Sequence, residues 1–261
     1  MKPHPSFASP ADLRRACRQG DFRAPTSGHA PARIQANLMI VPKAQAFDFL
    51  LFCQRNPKPC PLLDVTEAGD PRPLGVAPEA DLRSDLPGYR VYRKGVLWVE
   101  TTDIHEHWRD DLVSFLIGCS FTFENALVQA GLPVRHLQQG RNVPMYRTNI
   151  ACNPAGKFHG PTVVSMRPLT PAQAIKATTI CAGFPKSHGT PIHFGDPAAI
   201  GIANIAKPDY GDAVDIHPGE VPVFWACGVT PQAVAVASKL PFLITHKPGH
   251  MFVSDKRDCD E

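Results

Sequence analysis

Proline recurs 28 times in these 261 residues, roughly twice its usual share, and each proline fixes its own φ and removes a main-chain donor. A chain so punctuated predicts many short elements opened or closed at proline rather than a bundle of long helices. Its length is enough for one to two domains with a real core. With 43% hydrophobic and 20% charged residues, the composition is that of a folded globular chain.

Helix starts are legible where a hydroxyl side chain precedes a proline, which pairs an N-cap acceptor with a pre-set first helical φ. Ser9-Pro10 opens a helix that stops at Gly20. Thr170-Pro171 with Gln173 has the capping-box pattern and predicts a helix to about Cys181. Thr230-Pro231 predicts a third, ending before Pro241, and Ala46, Phe47, Leu50 and Leu51 recur at helical spacing after Pro42 up to Asn56-Pro57. The stretch from Asp110 to Leu132 is also helical in period, broken at Gly118-Cys119-Ser120, and predicts two helices with a turn between. Short β-branched runs predict strands at Leu62–Val65, Arg90–Arg93, Val96–Thr101, Met145–Ile150, Pro161–Met166, Val221–Ala226, Phe242–Thr245 and Met251–Ser254. The alternation predicts an α/β architecture. The expected organisation is a larger mixed sheet from residues 1–132 together with 198–261, and a smaller inserted α/β (ββαβ-like) part at 133–197.

Charge excludes one class of partner. Lys and Arg number 27 against 24 Asp and Glu, a formal +3, too small and too evenly spread for a nucleic-acid groove. No apolar run approaches the about 18 residues needed to cross a bilayer, so a membrane is not expected as a partner either. A second copy of the chain remains open as a partner. Eight cysteines without a C-x-x-C pair, and a start without the apolar core of a signal peptide, read as a reducing, cytoplasmic setting.

Neither dinucleotide nor P-loop glycine patterns occur, nor the zinc-protease or nucleophile-elbow motifs. What remains is a set of polar loops beside glycine and proline. Phe52-Cys-Gln-Arg-Asn-Pro-Lys-Pro-Cys60 carries Arg55 and Asn56 in a stiff turn, suited to gripping a carboxylate or to capping a helix C-terminus. Gly140-Arg-Asn-Val-Pro-Met-Tyr-Arg-Thr-Asn149 sets Arg141 and Arg147 among Tyr146 and Asn149 with no acid in the segment; an external anion, distant carboxylates or a solvated face would each answer them. Cys119 lies in a Gly-Cys-Ser turn that opens a helix, and Cys227 leaves a strand just before one. Such places suit a reactive thiol, although free cysteine is first of all a residue of the inert core. His188, His193 and Asp196 in one loop, with His246 and His250 in another, suit proton transfer or a metal.

Taken together, Pro25–Pro31, Gln35–Asn37, Cys53–Asp64, Trp108–Ser120, Gly140–Asn149, Ser165–Pro168, Gly195–Pro197, Phe224–Gln232 and Thr245–Met251 make the chain resemble, along its whole length, the hydro-lyase family whose domain is shared with D-glutamate cyclase. One departure is Ala32, where that pattern has glycine. The resemblance implies an α/β fold with a second, smaller α/β part, and loss of water from D-glutamate as its amine closes on the γ-carboxyl to give 5-oxo-D-proline. On that reading Arg147 and Arg55 take the substrate carboxylates, with Asn56, Tyr146, Asn149 and Arg167 as further binding groups. Arg141 meets charge on the tetrahedral intermediate, and His193 with Asp196 moves protons. His246 and His250 orient that pair or hold a divalent cation. Two other readings stand beside it: Cys119 and Cys227 as an acid–base pair isomerising an amino or hydroxy acid, and a non-catalytic binder of a carboxylate metabolite.

Overall fold

In the computed structural model, which describes residues 7–260, the chain is organised around β1 (Arg33–Pro42), a strand with nine of its ten residues buried. The other strands of its sheet are β2 (Leu62–Val65), β3 (Tyr89–Arg93), β4 (Val96–Thr101), β5 (Leu112–Gly118), β10 (Phe242–His246) and β11 (Phe252–Arg257). Their order is β2-β5-β1-β10-β3-β4, and β11 lies beside β1 where β10 leaves off. A second sheet has the order β6-β7-β9-β8, formed by β6 (Met145–Ala151), β7 (Pro161–Leu169), β8 (His193–Phe194) and β9 (Val221–Ala226). The two-sheet α/β organisation is as the sequence predicts. A mixed sheet is not what forms, since the pairings in both sheets are antiparallel. The second sheet reaches past residue 197 to take in β9.

The helices are α1 (Pro10–Gln19), α2 (Lys43–Arg55), α3 (Phe121–Gln129), α4 (Arg135–Gln138), α5 (Pro171–Cys181) and α6 (Val229–Ala237). The hydroxyl-proline signals hold at two starts. Ser9 accepts from the Asp12 N–H, and Thr170 and Gln173 form both halves of a capping box. At α6 the signal misleads, because the helix begins before Thr230 and has no side-chain cap. The Thr230 hydroxyl instead accepts from the Val163 N–H at 2.9 Å and donates to its carbonyl at 3.1 Å, stitching α6 to β7. The larger correction is at Asp110–Leu132, where the first predicted helix is β5. Every residue from Leu112 to Gly118 is buried, and a run buried on both faces shows no period-2 alternation to tell it from a helix.

These elements bring two strand-to-helix turns together. β5 passes through Cys119 and Ser120 into α3, and β9 passes through Cys227 and Gly228 into α6, so each sheet contributes one turn to the junction between them. Gly118 closes that junction tightly: a Cβ there would lie 1.6 Å from the Lys186 carbonyl oxygen. Ala32, the departure from the family pattern, has φ +59°, a left-handed conformation that a Cβ disfavours by about 1–2 kcal/mol. Ala32→Gly is therefore expected to stabilise the protein, by up to about 1 kcal/mol after the greater unfolded-state freedom of glycine is set against the strain relieved. A urea titration reads this as a raised midpoint. No helix among the described residues is long and apolar enough to cross a membrane.

Candidate functional site

Between the turn that ends at Ile200 and β9, residues 201–220 form no helix or strand and run as a strap along the segment 135–147. The polar segment Gly140–Asn149 holds it there. Tyr146 donates its hydroxyl to the Ile205 carbonyl at 2.6 Å, and Arg141 reaches the Ala213 carbonyl at 2.7 Å. The Asn142 and Arg147 main-chain N–H groups donate to the carboxylates of Asp212 and Asp209 at 2.9 and 2.8 Å. The Arg147 guanidinium lies over the Tyr210 ring and donates to its hydroxyl at 2.9 Å. Arg135, beneath the far end, pairs with Glu220. The arginines that the sequence offers as an anion clamp are thus committed to carbonyls and a phenol, and they position the strap.

The strap forms one wall of a groove of about 480 Å³. Asp209, Tyr210 and Asp212 line it from the strap, Arg90 from β3 and Lys247 from the turn after β10, with Asn142 and His250 also lining it. Lys247 and His250 also line an adjoining hollow of about 460 Å³ that reaches Arg23 and Glu100. Arg90 and Lys247 share a single acid, Glu100, at 2.7 and 3.1 Å. Partial burial would raise the Glu100 carboxyl, and the two cations outweigh it and hold the group below its ordinary range. Two cations against one carboxylate leave positive charge to spare. His250 is lowered chiefly by burial, which favours its neutral ring.

Behind Tyr210 lies the buried junction. Cys119, Cys227, Val143 and Met251 share one apolar cluster, and Tyr210 packs against it from the strap side. Each thiol sits in the same local geometry, with its sulfur approached by the main-chain N–H of the residue two ahead, Phe121 or Val229. Burial nevertheless pushes both thiols up, Cys227 to about 11, so both rest protonated. After Cys227 only glycine fits, since a Cβ on Gly228 would lie 1.9 Å from the Asn37 amide nitrogen. Deeper still, Arg167 on β7 donates to Glu124 at 2.6 Å, Ser120 at 3.0 Å and Ser165 at 3.2 Å, with its guanidinium beside the adjoining Phe123 and Trp225 rings. Glu124 also meets His136 at 3.0 Å and accepts from the Ser27 hydroxyl at 2.7 Å. Burial alone would raise Glu124; His136 and Arg167 override it and bring the carboxyl down to about 2.

The remaining sequence candidates lie elsewhere. Arg55 is exposed and donates to the Pro154 carbonyl, and Asn56 clasps the Phe52 and Asn153 carbonyls at 2.8 Å each, tying the end of α2 to the 153–154 turn. His193 faces the Asp196 main-chain carbonyl at 2.7 Å, while the Asp196 carboxylate caps a 3-10 turn at Ala198, so the two side chains do not form an acid–base pair. Asn149 is exposed and packs against Gly201. His246 and His250 do not make a cation site. The Nδ1 of His246 accepts from the Leu38 N–H, that of His250 faces the Pro248 carbonyl, and no cluster of three or more His, Cys, Asp or Glu fit for a metal occurs among the described residues. Of the sequence candidates, Cys119, Cys227 and Arg167 meet at the junction, and Arg141, Tyr146, Arg147 and His250 at the groove or its strap. Sequence reasoning missed Arg90, Lys247, Asp209, Asp212, Glu124 and His136. The one available signal was Glu124 itself, the sole acid in the otherwise uncharged helix Phe121–Gln129.

The pattern that defines the D-glutamate cyclase family matches residues 113–255, from β5 to β11. Curated relatives span nearly the full length. Proteins bearing the name "Putative hydro-lyase" are 58% identical in a Thermoanaerobacter species (95% of this chain, 94% of the relative), 59% in Stutzerimonas stutzeri (96% and 94%) and 58% in Bacillus subtilis (96% and 97%). Among solved structures, a nitrogen repressor-like protein from Methanococcus jannaschii aligns over 97% of this chain and 99% of its own at 9% identity, with a TM-score of 0.40. On the family match and the chain-long identity, this protein belongs to the D-glutamate cyclase family.

Proposed function

We propose that the protein removes water from a small amino dicarboxylate bound in the groove, D-glutamate being the substrate that the family suggests, with closure to 5-oxo-D-proline. The observation that carries this reading is that charges of both signs line one groove, Arg90 and Lys247 together with Asp209 and Asp212. A molecule with two carboxylates and one ammonium matches that pattern. Its carboxylates draw Arg90 and Lys247 away from their shared Glu100, and its ammonium turns to the strap carboxylates. The reaction needs no net proton, because the two protons given up by the ammonium leave with one γ-carboxylate oxygen as water. Holding amine and γ-carboxyl in a folded conformer makes the attack intramolecular, which in well-oriented cases is equivalent to about 10⁵ M or more. The cations stabilise charge gathering on the carboxyl oxygens during attack, and Asp209 or Asp212 accepts the proton the amine must lose first.

A second reading rests on the twin turns of Cys119 and Cys227, where proton exchange at an α-carbon would require one of the two buried thiols to give up its proton. Incubation of the purified protein with D- and L-amino acids and hydroxy acids, followed by mass spectrometry, separates the readings. Loss of one water from D-glutamate is the expected result. Inversion without water loss would favour the cysteine pair, and binding with no chemistry would make the protein a carboxylate sensor.

A further inference from the structure

We propose that residues 201–220 are a hinged lid, latched by Arg147 on Tyr210, whose opening joins the charged groove to the buried Cys119–Cys227 pair. The inference extends the reading of the groove as a binding site to how that site is closed. Several independent features of the segment converge on it. Twenty residues without helix or strand are long for a connection in a packed domain, and segments of that length commonly serve as lids or binding loops. Glycines stand near both ends in the left-handed region, Gly201 at φ +80° and Gly219 at φ +83°, where a chain can swing without a Cβ opposing it. Ile202 is the one apolar residue of the segment that is fully buried, while Ile205 and Val214, half-buried, pack against the cluster of Tyr146 and Phe224 and Tyr210 packs against that of the cysteines. Besides these contacts the strap is held down by the hydrogen bonds of Tyr146, Arg141, Asn142 and Arg147 described above and by main-chain bonds of Met145 to Asp209 and Tyr210, and such bonds near the surface exchange for water at small net cost. Segments with few buried apolar contacts are the ones that open locally while the rest of a protein stays folded.

Tyr210 is the partition. One side of it lines the groove, and it packs against the cluster containing Cys119, Cys227 and Met251. While it is seated, a ligand in the groove and the two thiols stand on opposite sides of the strap. When it lifts, the strand-to-helix turns, with their Phe121 and Val229 amides, become part of the same space. Arg147 is itself exposed and sits on top of Tyr210, so it can release without disturbing the core.

The test is the rate at which iodoacetamide modifies each cysteine, followed by mass spectrometry in the native protein, in Arg147→Ala and in Tyr210→Phe, which keeps the ring and removes only the latch's acceptor. Cys119 and Cys227 are expected to react together and before Cys53 and Cys60, which are buried in the core away from the strap. Both variants are expected to accelerate Cys119 and Cys227 alone, on the order of tenfold for loss of the latch. Rates unchanged in both variants would overturn the lid, and so would equal acceleration of all buried cysteines, which reports loosening of the whole molecule. D-glutamate is expected to slow the reaction by holding the strap closed. Selective acceleration in the variants without slowing by D-glutamate would leave the lid standing and remove D-glutamate as the ligand.

Discussion

Arg167→Met is expected to cost the protein about 3–5 kcal/mol of stability, the usual consequence of removing one partner from a fully buried ion pair. Methionine fills much of the same space beside Phe123 and Trp225 but gives Glu124 and the Ser120 and Ser165 hydroxyls nothing in return. Glu124 would then keep His136 and Ser27 as its neighbours and lose its closest contact, at 2.6 Å. Equilibrium denaturation reads the loss as a lowered midpoint. The double variant Arg167→Met, Glu124→Leu separates a missing partner from a missing shape, because replacing both members of a buried pair by apolar groups is often neutral or better; recovery of most of the loss is expected. The pair also contributes to the stability of the fold towards acid. Its carboxyl stands at about 2 when folded against an ordinary 4.5, so its contribution is fully present above 4.5 and is lost as pH falls from there towards 2. In Arg167→Met the folded carboxyl is less depressed, and acid unfolding begins at a higher pH. A midpoint unchanged in the single variant would show that the network does not bind the two sheets together.

Local chemistry made much of this fold legible. Ser9, Thr170 and Gln173 mark their helix starts because a capping hydroxyl or amide acts within three residues of itself, and β2, β4 and β9 have the bounds that β-branched runs predict. The central strands were the least legible. β1 and β5 are buried nearly throughout, so the solvent face that writes alternation into a sequence is absent. The site divides in the same way. Arg141 and Arg147 stand without acids in their own segment, and the groups that answer them, Ala213 and Tyr210, lie more than sixty residues away. Arg90 and Lys247 sit in unremarkable strand and turn positions, and only the pairing of β3 with β10, which sets Tyr89 opposite His246, makes them neighbours. Arg167 shows the same limit: nothing in Ser165-Met-Arg-Pro168 announces a charge that will be wholly buried against a glutamate 43 residues earlier.

Those misplaced arginines give the sharpest test of the groove. If an amino dicarboxylate is held by Arg90 and Lys247, Arg90→Met is expected to lower kcat/KM for it by about 10–100-fold, the range for losing a hydrogen bond to a charged group, with Lys247→Met in the same direction. Neither substitution threatens the fold, because both side chains are partly exposed and their shared partner Glu100 can turn to water. Arg55→Ala is the control. Its guanidinium caps the Pro154 carbonyl at the surface and lines neither the groove nor the adjoining hollow, so turnover should be unchanged. Steady-state kinetics on the three variants distinguishes the arginines that the sequence made prominent from those the fold has placed. If Arg55→Ala abolished turnover and Arg90→Met left it intact, the substrate would have to lie on the face where α2 meets the 153–154 turn, and the opposite charges of the groove would belong to the fold alone.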